Sequence, residues 1–508
     1  VIQRHYEVVV LGRGIGALTA AALLARRDFT VLLAGHGAPA PTYRVGDRIL
    51  CRRVSTFLAG TSPTWKRVLG ELAHTQTWRR RATPIEPLLQ AIVPGRRFEI
   101  PTNARDFTRE IDREFPELHR VIEDLYGRLA DDNGAVDEAF SDDLVWPPGT
   151  FWERRATGKR AQALPYAHSE PDADLLSGFP RGHLVRQLVR GSVMFGTHLS
   201  TLPPPLAVAR LHGAWTRGLL RLPDGEQELE SMLIERIEAH GGRCALDSKA
   251  TSLALRRGSI VGVHLDGEPD PIGCDYVITD DDGEALAALA AGQGIHKNAL
   301  REWPRITSTV GRFVTSIVVR REGLPEPLGP EVLLFAKENP WAGRRAPVVH
   351  LQRCDQPDGT AVLAAEILLP DHGALPLREA RAFVLRSVLA ELPFLERHLL
   401  LVDSPHDGLP LWSFEPSRRE LDRRSLGLAA QEPMVRQLEV DPPGFLRVAG
   451  EPLRGPIERT LLVGRSVLPG LGQEGELLAA WSAALLVTKG DRQKALMRRD
   501  TWTKMELG

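Results

Sequence analysis

The sequence predicts an α/β fold, and three stretches carry the prediction. Tyr6 to Gly35, YEVVVLGRGIGALTAAALLARRDFTVLLAG, is an apolar run, a glycine turn, an Ala- and Leu-rich helix and a second apolar run. Thr307 to Leu368 contains four strand-like runs in the manner of an antiparallel sheet. Arg459 to Val487 is a strand, a glycine-rich loop and a helix. Continuous apolar runs beside helices suit buried parallel strands.

Val8-Val9-Val10-Leu11 suits a strand buried on both faces. Gly12-Arg13-Gly14-Ile15-Gly16-Ala17 follows it and opens the helix. Between a strand and a helix, this spacing is a dinucleotide-binding fingerprint. Gly12 permits the tight turn, Gly14 lets the backbone approach a pyrophosphate, and Ala17 lets helix and strand pack closely. The helix N-terminus offers free N–H groups to the phosphates. The fingerprint also wants Asp or Glu at the end of the second strand, to hold a ribose hydroxyl. That place falls at Gly35, within Leu33-Ala34-Gly35-His36-Gly37, and no acid stands there.

From His36 to about Arg81 the chain reads as irregular to helical, with a loop at Pro39, Pro41 and Tyr43. Arg97 to Pro101 reads as a short strand, and Phe107, Ile111 and Phe115 mark a helix stopped by Pro116. Glu117 to Val208 is mostly helical and suits a wall over an apolar substrate or an ordinary helical core. After the turn Leu222-Pro223-Asp224-Gly225, Glu226 to His240 is an amphipathic helix stopped by Gly241-Gly242. Strands follow at Arg243 to Leu246, Ala250 to Arg256, Ser259 to Leu265 and Cys274 to Thr279. Asp280-Asp281-Asp282, just before the helix Glu284 to Ala290, reads as helix capping rather than a metal site. Strands are expected at Thr307 to Arg320, Glu331 to Ala336, Pro347 to Gln352 and Thr360 to Leu368, then a helix from Leu377 to Leu392. A weakly patterned section runs on to about Glu458.

Lys+Arg number 64 and Asp+Glu 65 in 508 residues, a net charge of −1, which gives no general attraction for nucleic acid or an anionic membrane. Cys51, Cys244, Cys274 and Cys354 form no metal or redox spacing and fit a reducing cytoplasm. Val1 to Tyr6 leads directly into the first strand without a signal-like segment, and no apolar run is long enough to span a membrane. There is no G-x-S-x-G elbow, no H-E-x-x-H and no P-loop. His168, His183, His198, His350 and His372 are scattered and read as structural or surface residues. No catalytic acid or base is singled out.

Together these pieces resemble the phytoene desaturase and carotenoid isomerase-like family of FAD-dependent oxidoreductases, within the amine-oxidase-like flavoproteins. The resemblance rests on GRGIGALTAAALLARRDFTVLL near the N-terminus and on Arg97 to Pro101 with Phe107 to Pro116. It rests further on residues 222–282 and on L-V-G-x-x-x-x-P-G-x-G-x-x-G within 459–487. It implies a Rossmann-like FAD/NAD(P)-binding domain assembled from residues 1–95, 221–295 and 456–508. It also implies an inserted α+β substrate domain from residues 96–220 and 296–455, carrying an antiparallel sheet and a helical subdomain.

The implied cofactor is FAD. Its implied binding residues are Gly12, Arg13, Gly14, Ile15, Gly16, Ala17, Ala250, Gly464, Arg465, Gly470 and Gly472, with Arg13 able to pair with phosphate. The implied activity is desaturation or isomerisation of an apolar small-molecule substrate, polyene or lipid-like. The implied setting is cytoplasmic, with no nucleic-acid partner and room for a peripheral membrane contact. A same-fold enzyme on another substrate stays open. So does a relative that has lost tight FAD binding and serves as a non-catalytic binding or scaffold protein, because the acid is missing at Gly35.

Overall fold

In the computed structural model, which describes residues 4–170, 173–296, 299–341, 346–372 and 375–491, the run Val8 to Leu11 lies at the centre of a seven-stranded sheet. The lead-in residues 1–3 lie outside the described residues. His5–Leu11 runs parallel to Val31–Ala34 on one side and to Ile272–Thr279 on the other. With a strand on each side and the helix Ile15–Arg26 packed against it, Val8, Val9, Val10 and Leu11 have no exposed surface. Arg243–Ala245 extends the sheet beyond Val31–Ala34, and Thr460–Leu462 pairs in parallel with Ile272–Thr279. The hairpin Ala250–Arg256 and Ser259–Leu265 completes it.

The helix Ile15–Arg26 is buried from Gly16 to Ala25. It packs between the helices Gly225–Ala239 and Gly472–Gly490. Alanines at 17, 20, 21, 22 and 25 suit this position, since a helix enclosed on all sides carries apolar residues all round.

A ten-stranded sheet forms the second layer. Its spine is the strand Arg305–Arg320, paired along one edge with Thr360–Pro370. The other edge meets Val435–Asp441 at its first half and Leu399–Asp403 at its second. Val348–Asp355, Glu331–Phe335, Leu89–Val93 and Arg96–Ile100 follow outward. Alternation then sorts the side chains. Phe313, Ile317 and Val319 pack with Phe383, Val384 and Val388 of the helix Leu377–Glu391. On the opposite face Val318 and Val362 meet Tyr43, Val45 and Leu50 of a hairpin.

That hairpin, Thr42–Val45 with Arg48–Cys51, stands where an irregular to helical segment was expected. The strand Leu89–Val93 was not expected at all. Glu331 to Phe335 and Thr360 to Pro370 agree with the sequence to within two residues. No helix among the described residues is long and apolar enough to cross a membrane.

Candidate functional site

Register sets the site. Leu11 pairs with Thr279, so the next residues, Gly12 and Asp280, emerge side by side at the ends of adjacent parallel strands. Gly12 takes φ +121°, a conformation that suits glycine, and a Cβ there would lie 1.7 Å from Asp280 Oδ1. The backbone N–H groups of Arg13 and Gly14 donate to Asp280 Oδ2 at 3.0 and 2.6 Å. These are the amides that the fingerprint offers to a pyrophosphate. Gly16 lets the helix approach the C-terminal segment, since a Cβ would sit 2.0 Å from Val463 O. Ile15 is half-buried and Ala17 fully buried beside it.

The acid triplet therefore divides its work. Asp282 caps the helix Gly283–Leu289, accepting from Ala285 N–H at 2.8 Å, as expected. Asp280 instead holds the glycine turn. Burial and the neighbouring Asp281 raise its carboxyl to about 6, against the opposing pull of the Gly14 and Arg13 amides.

The place of the missing acid is also filled by the chain. A Cβ at Gly35 would lie 1.9 Å from Leu246 O, so the backbone of the next strand occupies the place of the missing acid. His36 bridges two neighbours. Its Nδ1 accepts Ala250 N–H at 3.1 Å and its Nε2 faces Asp281 Oδ2 at 3.0 Å. Because Nδ1 accepts, the proton is on Nε2 and is donated to Asp281. Ala250, implied as a cofactor contact, thus has its N–H engaged within the chain.

The C-terminal loop is turned inward in the same way. A Cβ at Gly464 would meet Asp280 O at 1.9 Å. At Gly470 it would meet Val448 Cα at 2.8 Å, and at Gly472, where φ is +56°, Gly196 O at 2.0 Å. Arg465 donates to His198 Nδ1 at 3.2 and 3.0 Å and to Arg436 O at 3.0 Å. His198 Nε2 then carries its proton toward Glu476 Oε1, 2.7 Å away. Burial, with Arg465 and Arg312 nearby, keeps this imidazole neutral, well below its usual range. Burial lifts Glu476 to about 8, against the pull of Arg465 and with Asp280 and Glu226 adding to the rise.

Arg13 does not point at an open phosphate place. It pairs with Glu230 at 2.6 Å, and Arg53 grips Glu226 at 2.8 and 2.6 Å. A pyrophosphate brought to the Arg13 and Gly14 amides would meet the Asp280 carboxylate. Like charges 4 Å apart repel by about 4 kcal/mol at an effective dielectric near 20. The residues present do not fit the pyrophosphate of FAD while Asp280 holds the two amides.

A second buried polar group lies on the ten-stranded sheet. His350 Nε2 is 2.8 Å from Glu331 Oε2, and Arg312 donates to Glu366 at 3.1 Å. Arg312 also donates to the carbonyls of Phe195 and Thr197, tying the sheet to the end of the helix Leu184–Gly196. Burial lowers the His350 pKa, but Glu331 and Glu366 outweigh it and bring the ring to about 9. His183 has a structural place, accepting from Val185 N–H at the start of the same helix. Among the described residues no group of His, Cys, Asp and Glu is arranged to hold a metal ion.

These shifts set an alkaline weakness. Glu451 at about 7 and Glu476 at about 8 lie above the usual carboxylate values, and His350 at about 9 lies above 6.5. In every case the folded chain holds the proton that the unfolded chain releases. Their contribution is whole at low pH and is lost as pH rises through the folded values. The urea midpoint is expected to fall between pH 6 and pH 9, by on the order of 2–4 kcal/mol in stability. A midpoint that rises over this range would refute the assignment.

No family model matches this sequence, and no curated protein matches it. Solved structures match in shape. An oxidoreductase from Methanosarcina mazei has a TM-score of 0.58 at 13% identity, over 94% of this chain and 99% of its own. Cyclohexylamine oxidase from Brevibacterium oxydans IH-35A has 0.54 at 14%, over 95% and 98%. A putrescine oxidase redesigned in its cofactor binding has 0.56 at 13%, over 95% and 98%. This likeness spans nearly the whole chain and shows the fold, the mixed α/β architecture with a Rossmann-like sheet found in these oxidoreductases.

Proposed function

We propose that this chain uses a flavin-oxidoreductase fold as a non-catalytic binding or scaffold protein that does not hold FAD tightly. One observation carries the reading: the Asp280 carboxylate sits on the Arg13 and Gly14 amides, at 3.0 and 2.6 Å, where the fold would place a pyrophosphate. The closed places at Gly35 and Ala250 support it.

A second reading is favoured by the intact turn of Gly12, Gly14, Gly16 and Ala17 and by the likeness to amine oxidases. In it the chain is an FAD-dependent oxidoreductase of the phytoene desaturase-like kind, desaturating or isomerising an apolar substrate. Bound FAD would supply the hydride chemistry. Asp280 would first have to leave the two amides.

The visible absorption spectrum and flavin content of the native protein, before and after incubation with FAD, separate the two. The expected protein is colourless and stays so after desalting. A yellow protein with stoichiometric FAD overturns the first reading.

A further inference from the structure

We propose that the outward face of the helix Phe151–Gln162 is a docking surface for an anionic lipid bilayer, with Phe151 and Trp152 as the inserted side chains and Arg155 and Lys159 as the partners of anionic headgroups. The inference goes beyond the proposed function and holds whether or not the chain carries FAD.

The helix sequence, FWERRATGKRAQ, sorts its residues by position. At about 100° per residue, Phe151, Trp152, Arg155 and Lys159 fall within one arc of about 100°. All four are exposed. Thr157 and Ala161 lie on the opposite side and are buried, and the Thr157 hydroxyl donates to Val145 O at 3.0 Å. The outward face is therefore the one that carries two aromatic rings and two cations.

The rings are held out in water. Phe151 is 70% exposed and Trp152 71%. They touch each other, with centroids 5.3 Å apart and planes at 77°, and so form one apolar patch. Single exposed apolar side chains are ordinary on a protein surface, whereas an adjoining aromatic pair marks a contact. Loose packing does not explain the exposure. Thr150 and Glu153 close a capping box over the first turn, and Arg454 grips Glu153 at 2.9 and 2.6 Å. The Gly149 and Thr150 N–H groups donate to the same carboxylate at 2.9 and 3.0 Å. The turn that carries the rings is anchored on its inner side, so a partner need not order it.

Charge and area select the partner. Arg154, Arg155 and Lys159 are exposed and make no ion pair among the described residues. The acidic groups beside the helix are already engaged, Glu153 by Arg454 and both Glu138 and Asp142 by Arg160. With a net charge of −1 the chain as a whole is not drawn to an anionic surface, so this local cluster carries the attraction. Aromatic rings beside arginine and lysine on one helix face are what an interfacial helix presents to headgroups. A second copy of the chain, docked by two-fold symmetry, would bring the same cations face to face. One helix face also falls well short of the roughly 20 residues a side that a stable protein interface uses. A bilayer needs no matched area.

The test is co-sedimentation of the full chain with vesicles of phosphatidylcholine alone and of phosphatidylcholine with about 30% phosphatidylserine. The native chain is expected to bind the mixed vesicles roughly tenfold or more tighter than those of phosphatidylcholine alone. Phe151→Ser combined with Trp152→Ser should lose about tenfold or more on the mixed vesicles. Arg155→Ala combined with Lys159→Ala should bind the two kinds of vesicle nearly alike. Phe394→Ser, which removes a ring 75% exposed elsewhere, should change nothing. The substituted side chains are all exposed, and unchanged thermal midpoints show that the variants fold.

A native chain that ignores the mixed vesicles overturns the proposal. So does an aromatic double variant that binds as well as the native chain, or a Phe394→Ser variant that loses as much. A native chain that dimerises in sedimentation without lipid, and becomes monomeric on Phe151→Ser with Trp152→Ser, overturns it as well, by putting a second copy in place of the bilayer.

Discussion

Gly35→Glu, the substitution that would restore the fingerprint acid, is expected to unfold the nucleotide-binding sheet instead of creating a ribose site. The new Cβ would lie 1.9 Å from Leu246 O, closer than real Cβ contacts come. The surroundings cannot give way cheaply. Gly35 N–H donates to Ala245 O at 3.1 Å and His36 N–H to Ser248 O at 2.9 Å, so the strand end at 243–248 is laced to the same segment. Admitting any side chain means breaking that lacing, at a loss of more than about 4 kcal/mol. The measurement is the urea midpoint of the variant, with soluble yield as a second readout. A variant as stable as its parent that also binds FAD would show that the 243–248 backbone yields.

Arg210→Ala is expected to cost about 3–5 kcal/mol, because it strands a carboxylate in the interior. Arg210 is 3% exposed and grips Glu474 through two bonds of 2.6 Å, with Asp137 at 2.6 Å and Asn133 Oδ1 at 3.1 Å. Four helices meet there: Pro205–Thr216 supplies Arg210, Gly472–Gly490 supplies Glu474, His119–Ser141 supplies Asp137, and Ser62 caps Pro63–Glu71. Without the guanidinium, Glu474 keeps the Ser62 hydroxyl as a side-chain donor. Arg210→Met combined with Glu474→Gln should lose clearly less than Arg210→Ala alone, since no buried charge is orphaned. Equal losses would mean that packing, not the ion pair, holds the junction.

The parts of this fold that could be read from sequence are those whose signal is local. Val8 to Leu11 announces a strand buried on both faces because four apolar residues leave no polar face. Thr307 to Arg320 and Thr360 to Leu368 alternate because one sheet face is apolar and the other partly polar. The hairpin Thr42–Val45 with Arg48–Cys51 was missed because the loop residues Pro39 and Pro41 mask two four-residue strands. Leu89–Val93 was missed although it forms a hairpin with Arg96–Ile100 besides pairing with Glu331–Phe335, because LQAIV is short and shows no polar–apolar alternation.

The candidate site divides along the same line. The glycine turn is a spacing and was visible. The group that fills it, Asp280, acts across 267 positions on Arg13, and no pattern within either segment signals the pairing. His36 and Glu230 are hidden for the same reason: each is an ordinary polar residue until the fold brings it to its partner. Arg13 illustrates the limit from the other side. Its place beside the turn suggested a phosphate partner, and only the Gly225–Ala239 helix reveals that Glu230 holds it.

The order of strands has a consequence for synthesis on the ribosome. The helix Ile15–Arg26 emerges early, yet its cover, the helix Gly472–Gly490, is among the last described segments to be made. At 5–20 residues per second the interval is on the order of 20–90 s. Throughout it an Ala- and Leu-rich surface stays uncovered, and the first strand lacks Ile272–Thr279 on one side until more than half the chain exists. Glu331–Phe335, Val348–Asp355 and Thr360–Pro370 pair in succession and can close as they appear. Folding therefore runs against the order of the chain: the central strand and its helix are sealed only when the segments from residue 272 and from residue 472 arrive.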